Sequence, residues 1–165
     1  MKRLLLPLLA ALALPISSSA YYYNKQDLMT DEIKHSVLIL SSNKVDNVIG
    51  IEQEASIFIK CTTKDNVMTG LEAGISTPSY NADSRMLRLR WDKETPTRDS
   101  WQKASNGKGF FSPSPKSFIT ELNKFDTLIA EWSPYQKAPV AAKFNLNELK
   151  KDIEKLTEVG CGSFK

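Results

Sequence analysis

Residues 128–161 read LIAEWSPYQKAPVAAKFNLNELKKDIEKLTEVGC. Leu128, Ala130 and Trp132 alternate with Ile129 and Glu131, which is the period of a strand with one face inward. Ser133, Pro134 and Pro139 bound a turn, and residues 140–144 resume as the hairpin partner. The period then changes. Leu146, Leu149, Ile153 and Leu156 recur at helical spacing, with Lys150, Lys151, Glu154 and Lys155 on the opposite side. Asn145 followed by Glu148 predicts a capping-box start. Gly160 predicts a C-terminal cap, and Cys161 follows at once. The stretch predicts a clasp: two strands that join a sheet, a helix that covers it, and a cysteine able to fasten the end.

Working outward, Ser114 and Pro115 suit the N-cap and first turn of another helix. Phe118, Ile119, Leu122 and Phe125 form its apolar stripe. Residues 36–41, SVLILS, read as a strand buried on both faces, and residues 43–50 as a loop. Residues 56–61, SIFIKC, alternate and place Ile57, Ile59 and Cys61 on one face. A turn at Lys64-Asp65-Asn66 leads into residues 67–75, a hairpin in which Gly70 and Gly74 suggest a bulge or a close backbone approach. Residues 85–92 form a strand with Leu87, Leu89 and Trp91 on one side and Arg88 and Arg90 on the other. Lys93 to Arg98 reads as a turn, and residues 100–111 as one more strand or an irregular segment. Tyr21, Tyr22 and Tyr23 read as an edge strand or a tyrosine-rich binding tip. The fold class is α+β: a mainly antiparallel sheet or sandwich of about six to eight strands, with helices near 115–125 and 146–159.

The start of the chain reads as an export signal. Lys2 and Arg3 precede an apolar run at residues 4–14, and Ser18 and Ala20 supply small residues before a cleavage point between Ala20 and Tyr21. Residues 1–20 are then the signal and residues 21–165 one exported domain, periplasmic or secreted. No further apolar run is long enough to span a membrane. The net charge of +3 falls to +1 without Lys2 and Arg3. A near-neutral domain lacks the concentrated positive field that nucleic-acid binding requires.

Cys61 and Cys161 are the two cysteines. In an exported chain they most simply form a disulfide; metal ligation and two free buried thiols are the alternatives. With His35 the lone histidine, the close-spaced ligand pairs of a zinc site are missing. His35 also has no nucleophile setting around it and reads as a structural residue. Glu52 and Glu54 read as paired carboxylates of a glycosidase or as solvated loop acids. Trp91, Trp101 and Trp132 read as core or as sugar-stacking rings. Asn106-Gly107-Lys108-Gly109 lacks phosphate-loop spacing and reads as a tight turn. Arg88 and Arg90 are either a basic stripe for an anion or the ordinary solvated face of a sheet. No residue set recommends a catalytic centre, a cofactor or a metal.

Residues 132–161 resemble the ending of the periplasmic accessory proteins associated with type VI secretion systems. The likeness runs through Ser133-Pro134-Tyr135, then Pro139-Val140-Ala141-Ala142-Lys143-Phe144, then the helix and Cys161. Upstream, Ile59-Lys60-Cys61, Leu89-Arg90-Trp91-Asp92, and Trp101 followed by Ser105 are similar to the family's first cysteine strand and its middle segments. The resemblance covers residues 56–161. It implies a non-enzymatic accessory protein and carries no catalytic residues. The expected function is that of a small exported binding or accessory protein, acting on a partner in the cell envelope through a protein-interaction surface. The alternatives are a cell-wall glycan hydrolase using carboxylates, or a periplasmic inhibitor of such an enzyme.

Overall fold

The computed structural model describes residues 20–46 and 50–165. The signal-like n-region and apolar run fall in residues 1–19, outside the described residues. Strands β1 (Ala20–Gln26), β2 (Ile33–Asp46), β3 (Glu52–Lys64), β4 (Val67–Ser76), β5 (Met86–Trp91), β6 (Thr97–Ser100), β7 (Gln102–Lys103) and β8 (Gly109–Phe111) precede helix α1 (Pro115–Lys124). Strands β9 (Thr127–Trp132) and β10 (Val140–Asn145) and helix α2 (Asn147–Glu158) follow. One sheet has the order β1-β2-β3-β4-β8-β7 and the other β10-β9-β5-β6. The paired strands run antiparallel. The α+β class, the two helices and the disulfide are as the sequence predicts. Residues 97–98, expected in a turn, and residues 100–111, expected as one strand or an irregular segment, supply three short strands, because β6, β7 and β8 are held by their neighbours rather than by any apolar period of their own.

The central hairpin follows from its turn. Asp65 and Asn66 both take left-handed backbone angles, φ 51° and 59°. Two such residues make the turn whose twist matches that of the flanking strands. The two glycines of β4 behave as their positions suggest. Thr62 pairs with Gly70 and Thr63 with Met68, so Thr69 is the extra residue of a bulge. At Gly74 a Cβ would run into the carbonyl oxygen of Phe110 and lie 2.7 Å from the Phe58 ring.

Strand β2 departs from expectation twice. Val37 and Ile39 are fully buried, but Leu38 and Leu40 are half-buried, so the second face is not covered by another layer. The strand also continues through Asp46 where a loop was expected. A register shift between Leu40 and Lys44 bends it there. The Ser41 hydroxyl spans the bend, accepting the Ala55 N–H at 3.0 Å and donating to the Asn43 carbonyl at 2.6 Å. The Asn43 side chain then stitches the two sheets together. Its Nδ2 donates to the Ala141 carbonyl at 3.0 Å, and its Oδ1 accepts the Lys143 N–H at 2.7 Å. One core fills the space between, from Ile57 and Ile59 on one side to Leu89, Ala130 and Phe144 on the other.

The clasp closes as the sequence suggests at its far end and differently at its start. The Gly160 N–H donates to the Thr157 carbonyl at 3.2 Å and the Cys161 N–H to the Leu156 carbonyl at 2.9 Å. With Gly160 at φ +89°, this is a Schellman ending. Cys161 then bonds to Cys61, with Cα atoms 6.0 Å apart. At the start, Leu146 occupies the N-cap and makes no side-chain cap bond, while Asn145 Oδ1 accepts the N–H of Asn147, the first helical residue, at 3.2 Å. Asn145 is held in the ladder opposite Thr127, and Leu146 is fully buried, so packing overrides the Asn145–Glu148 capping box. In α1, Ser114 sits at the N-cap as expected but makes no side-chain cap bond. Trp101 and Trp132 are core residues, while Trp91 is half-buried.

The tyrosine run forms β1 as an edge strand on β2, with Ala20 opposite Ile39 and Tyr21 opposite Leu38. The cleavage point expected from the sequence falls after the first residue of that strand, so Tyr21–Gln26 would stay within it. Tyr22 turns inward, and its hydroxyl meets His35 Nδ1 at 2.9 Å. His35 Nε2 meets the Thr63 hydroxyl at 3.0 Å, so both ring nitrogens of this buried histidine are satisfied. Burial disfavours the imidazolium and lowers the His35 pKa.

Three outcomes follow. Replacing both cysteines with alanine lowers stability by about 4–5 kcal/mol, the chain-entropy value for a loop of this length; an unchanged urea midpoint would show that the bridge is dispensable. Gly160→Ala meets both the positive φ and the Asn66 carbonyl, and costs more than about 1 kcal/mol in the same assay. The unfolded chain protonates His35 near pH 6.5 while the folded chain resists it. The contribution of His35 is therefore fully present above about pH 6.5 and declines as pH falls below that value. In His35→Gln that part of the pH slope disappears; an identical slope in the variant would remove His35 as its source.

Candidate interaction surfaces

The alternation of β5 that buries Leu87 and Leu89 necessarily turns Arg88 and Arg90 outward. Pairing then adds charges that lie far away in sequence. Arg98 of β6 stands directly opposite Arg88 on one side, and Glu131 of β9 stands opposite it on the other. Ile129 is the neighbour of Arg90, and Lys143 of β10 is the next residue across. The outer face of the four-stranded sheet thus carries Arg88, Arg90, Arg98 and Lys143 with Glu131 between them, and at its end Asp92, Glu94 and Asp126 share a groove with Arg90 and Lys143. Arg88 Nη1 lies 3.5 Å from Glu131 Oε1, but the two side chains are 48% and 37% exposed. A pair in that much solvent contributes little and leaves the arginine available. Arg88, Arg98, Glu131 and Pro139 border a shallow groove of about 190 Å³ on this face. The helices lie on the other side, with α2 against β1 and β2 and α1 against β4.

A second groove, of about 420 Å³, runs between β6 and the first turns of α1. Its floor is aromatic. The Phe118 ring centre lies 4.8 Å from that of Trp101 and 6.0 Å from that of Trp91. The rim carries the hydroxyls of Ser100, Ser112, Ser114 and Ser117 and the carboxylates of Asp99 and Glu121. Among the described residues no lysine or arginine lines it. Strand β6 is the outermost strand of its sheet, and all four of its residues are exposed.

Glu52 and Glu54 are exposed near the start of β3, on one side of one strand. They point the same way, whereas the carboxylates of a glycosidase face each other across a cleft. Among the described residues no helix is long and apolar enough to cross a membrane. Arg98 and Lys143 were not singled out by the sequence. The segment TRDS has no apolar period, and Lys143 reads as an ordinary outward residue of its hairpin.

No family model and no curated protein matches the chain. Among solved structures, the crystal structure of invasion associated protein B from Bartonella henselae is similar, with a TM-score of 0.55 at 10% sequence identity. The match covers 86% of this chain and 94% of that one. At that identity the likeness is one of fold.

Proposed function

We propose that this chain is a small exported accessory domain that binds an acidic partner protein in the cell envelope, through the open basic face of its four-stranded sheet. The observation that carries the reading is the gathering of Arg88, Arg90, Arg98 and Lys143 from three strands, with Glu131 paired between β5 and β10 and the carboxylates of Asp92, Glu94 and Asp126 confined to the end beside Arg90. Like charges this close raise one another's energy. An acidic surface relieves that repulsion on docking and is steered toward it. The disulfide supports an oxidising compartment. The resemblance of residues 132–161 to the periplasmic accessory proteins of type VI secretion systems points to the same place and suggests a secretion apparatus as the setting. On this reading the domain works by binding, not by catalysis.

The test is recovery of a partner from envelope extract with the wild-type protein and with Arg88→Glu/Arg90→Glu, both checked for folding by circular dichroism. The expected result is a wild-type complex that weakens as salt rises, with affinity lowered about tenfold or more in the double variant. A partner held equally well by the double variant overturns the assignment to this face. Digestion of cell wall by the wild type that vanishes in Glu52→Gln or Glu54→Gln overturns the non-catalytic reading.

A further inference from the structure

We infer that β6 is a docking edge: it accepts an extended segment of a partner protein as an added strand, seated in the groove beside α1. This goes beyond the basic face, because it assigns the backbone edge of β6 and the groove beside α1, sharing only Arg88 and Arg98 with that face. Strand β6 pairs with β5 along one side, and among the described residues nothing pairs with its other side. Its outward-facing backbone groups are therefore free to take a further strand, while the wall of α1 and the floor of Trp101 and Phe118 supply somewhere for alternate side chains to go.

The charges on β6 specify what fits. Asp99 is opposite Leu87, so it lies on the inner face with the groove, where Glu121 is the other charge. Arg98 is opposite Arg88, so it lies on the outer face. Successive residues of an added strand alternate between the same two faces. Those facing inward meet an aromatic floor and two carboxylates, and suit apolar or basic side chains. Those facing outward meet Arg98 and Arg88, and suit acidic side chains. The partner segment is thus an alternating one, acidic on one face and apolar or basic on the other.

A second copy of this chain is a poor occupant. Two β6 strands pairing antiparallel in one continuous sheet about Arg98 place Arg98 opposite Arg98. Pairing about Asp99 places Asp99 opposite Asp99. Like charges directly opposite are destabilising.

The probe is a short synthetic peptide that alternates glutamate with valine and carries lysine at its centre, titrated into the full chain while tryptophan fluorescence is followed. The comparators are an isomer with its glutamates grouped at one end and two N-methylated forms, blocked at alternate amides. The expected results are saturable binding of the alternating peptide, about tenfold weaker binding of the isomer, and loss of binding in one N-methylated form but not the other. Asp99→Lys should weaken binding of the parent peptide and restore it for the version with a central glutamate. Equal binding of the isomer, retention of binding by both N-methylated forms, or no saturable binding overturns the proposal. Arg90 lies beyond the end of the β5–β6 pairing. Arg90→Glu therefore tests the basic face alone, and the two readings fail separately.

Discussion

The contact between Gly160 and the carbonyl of Asn66 decides where the end of the chain rests. Only a residue without a Cβ, and with φ +89°, can pass that carbonyl and still close the Schellman ending of α2. The turn at Asp65-Asn66 holds the carbonyl in place, and the turn itself depends on both residues taking left-handed angles. Once Gly160 is seated, Cys161 arrives over Cys61 on the inner face of β3, and the bridge fixes the geometry covalently. Helix α2 is then committed to lie over β1 and β2, with Leu149, Ile153 and Leu156 filling the core.

The second sheet is joined to the first by polar groups as well as by the core. Ser41 makes hydrogen bonds across the register shift of β2 at the point where the strand bends. Beyond the bend, the Asn43 amide imitates a backbone unit, donating to one residue of β10 and accepting from another. The buried Ser41 hydroxyl thereby keeps its hydrogen bonds, as a buried polar group requires, while the Asn43 links lie at the surface. Because the helices and the second sheet share the inner side, the outer faces of both sheets are left to solvent.

The chemistry of the surface is a by-product of that arrangement. Burying Leu87 and Leu89 forces Arg88 and Arg90 outward, and the β5–β6 register brings Arg98 beside them while sending Asp99 to the other face. Strand β6 thus separates a basic surface from an acidic, aromatic groove. An edge strand bearing charges of opposite sign on its two faces resists pairing with itself. The same feature gives it a preference among strands from other chains.

Residues 128–161 carry their own structural instructions: alternate burial, turn residues, a helical stripe, a glycine stop and a cysteine. These are local patterns, and strand, helix and C-cap follow them, because each is decided by side chains a few residues apart. The outward placing of Arg88 and Arg90 likewise needed only neighbouring residues. Tertiary structure decided what depends on pairing at a distance. It moved the start of α2 from a capping box to the buried Leu146, and carried β2 through a bend that reads as loop. It also made strands of residues 97–111, and joined Arg98 and Lys143 to Arg88 and Arg90. The physical reason is register: which side chains become neighbours across a sheet depends on backbone hydrogen bonds between segments far apart in the chain, and those bonds have no signature in a residue's own surroundings.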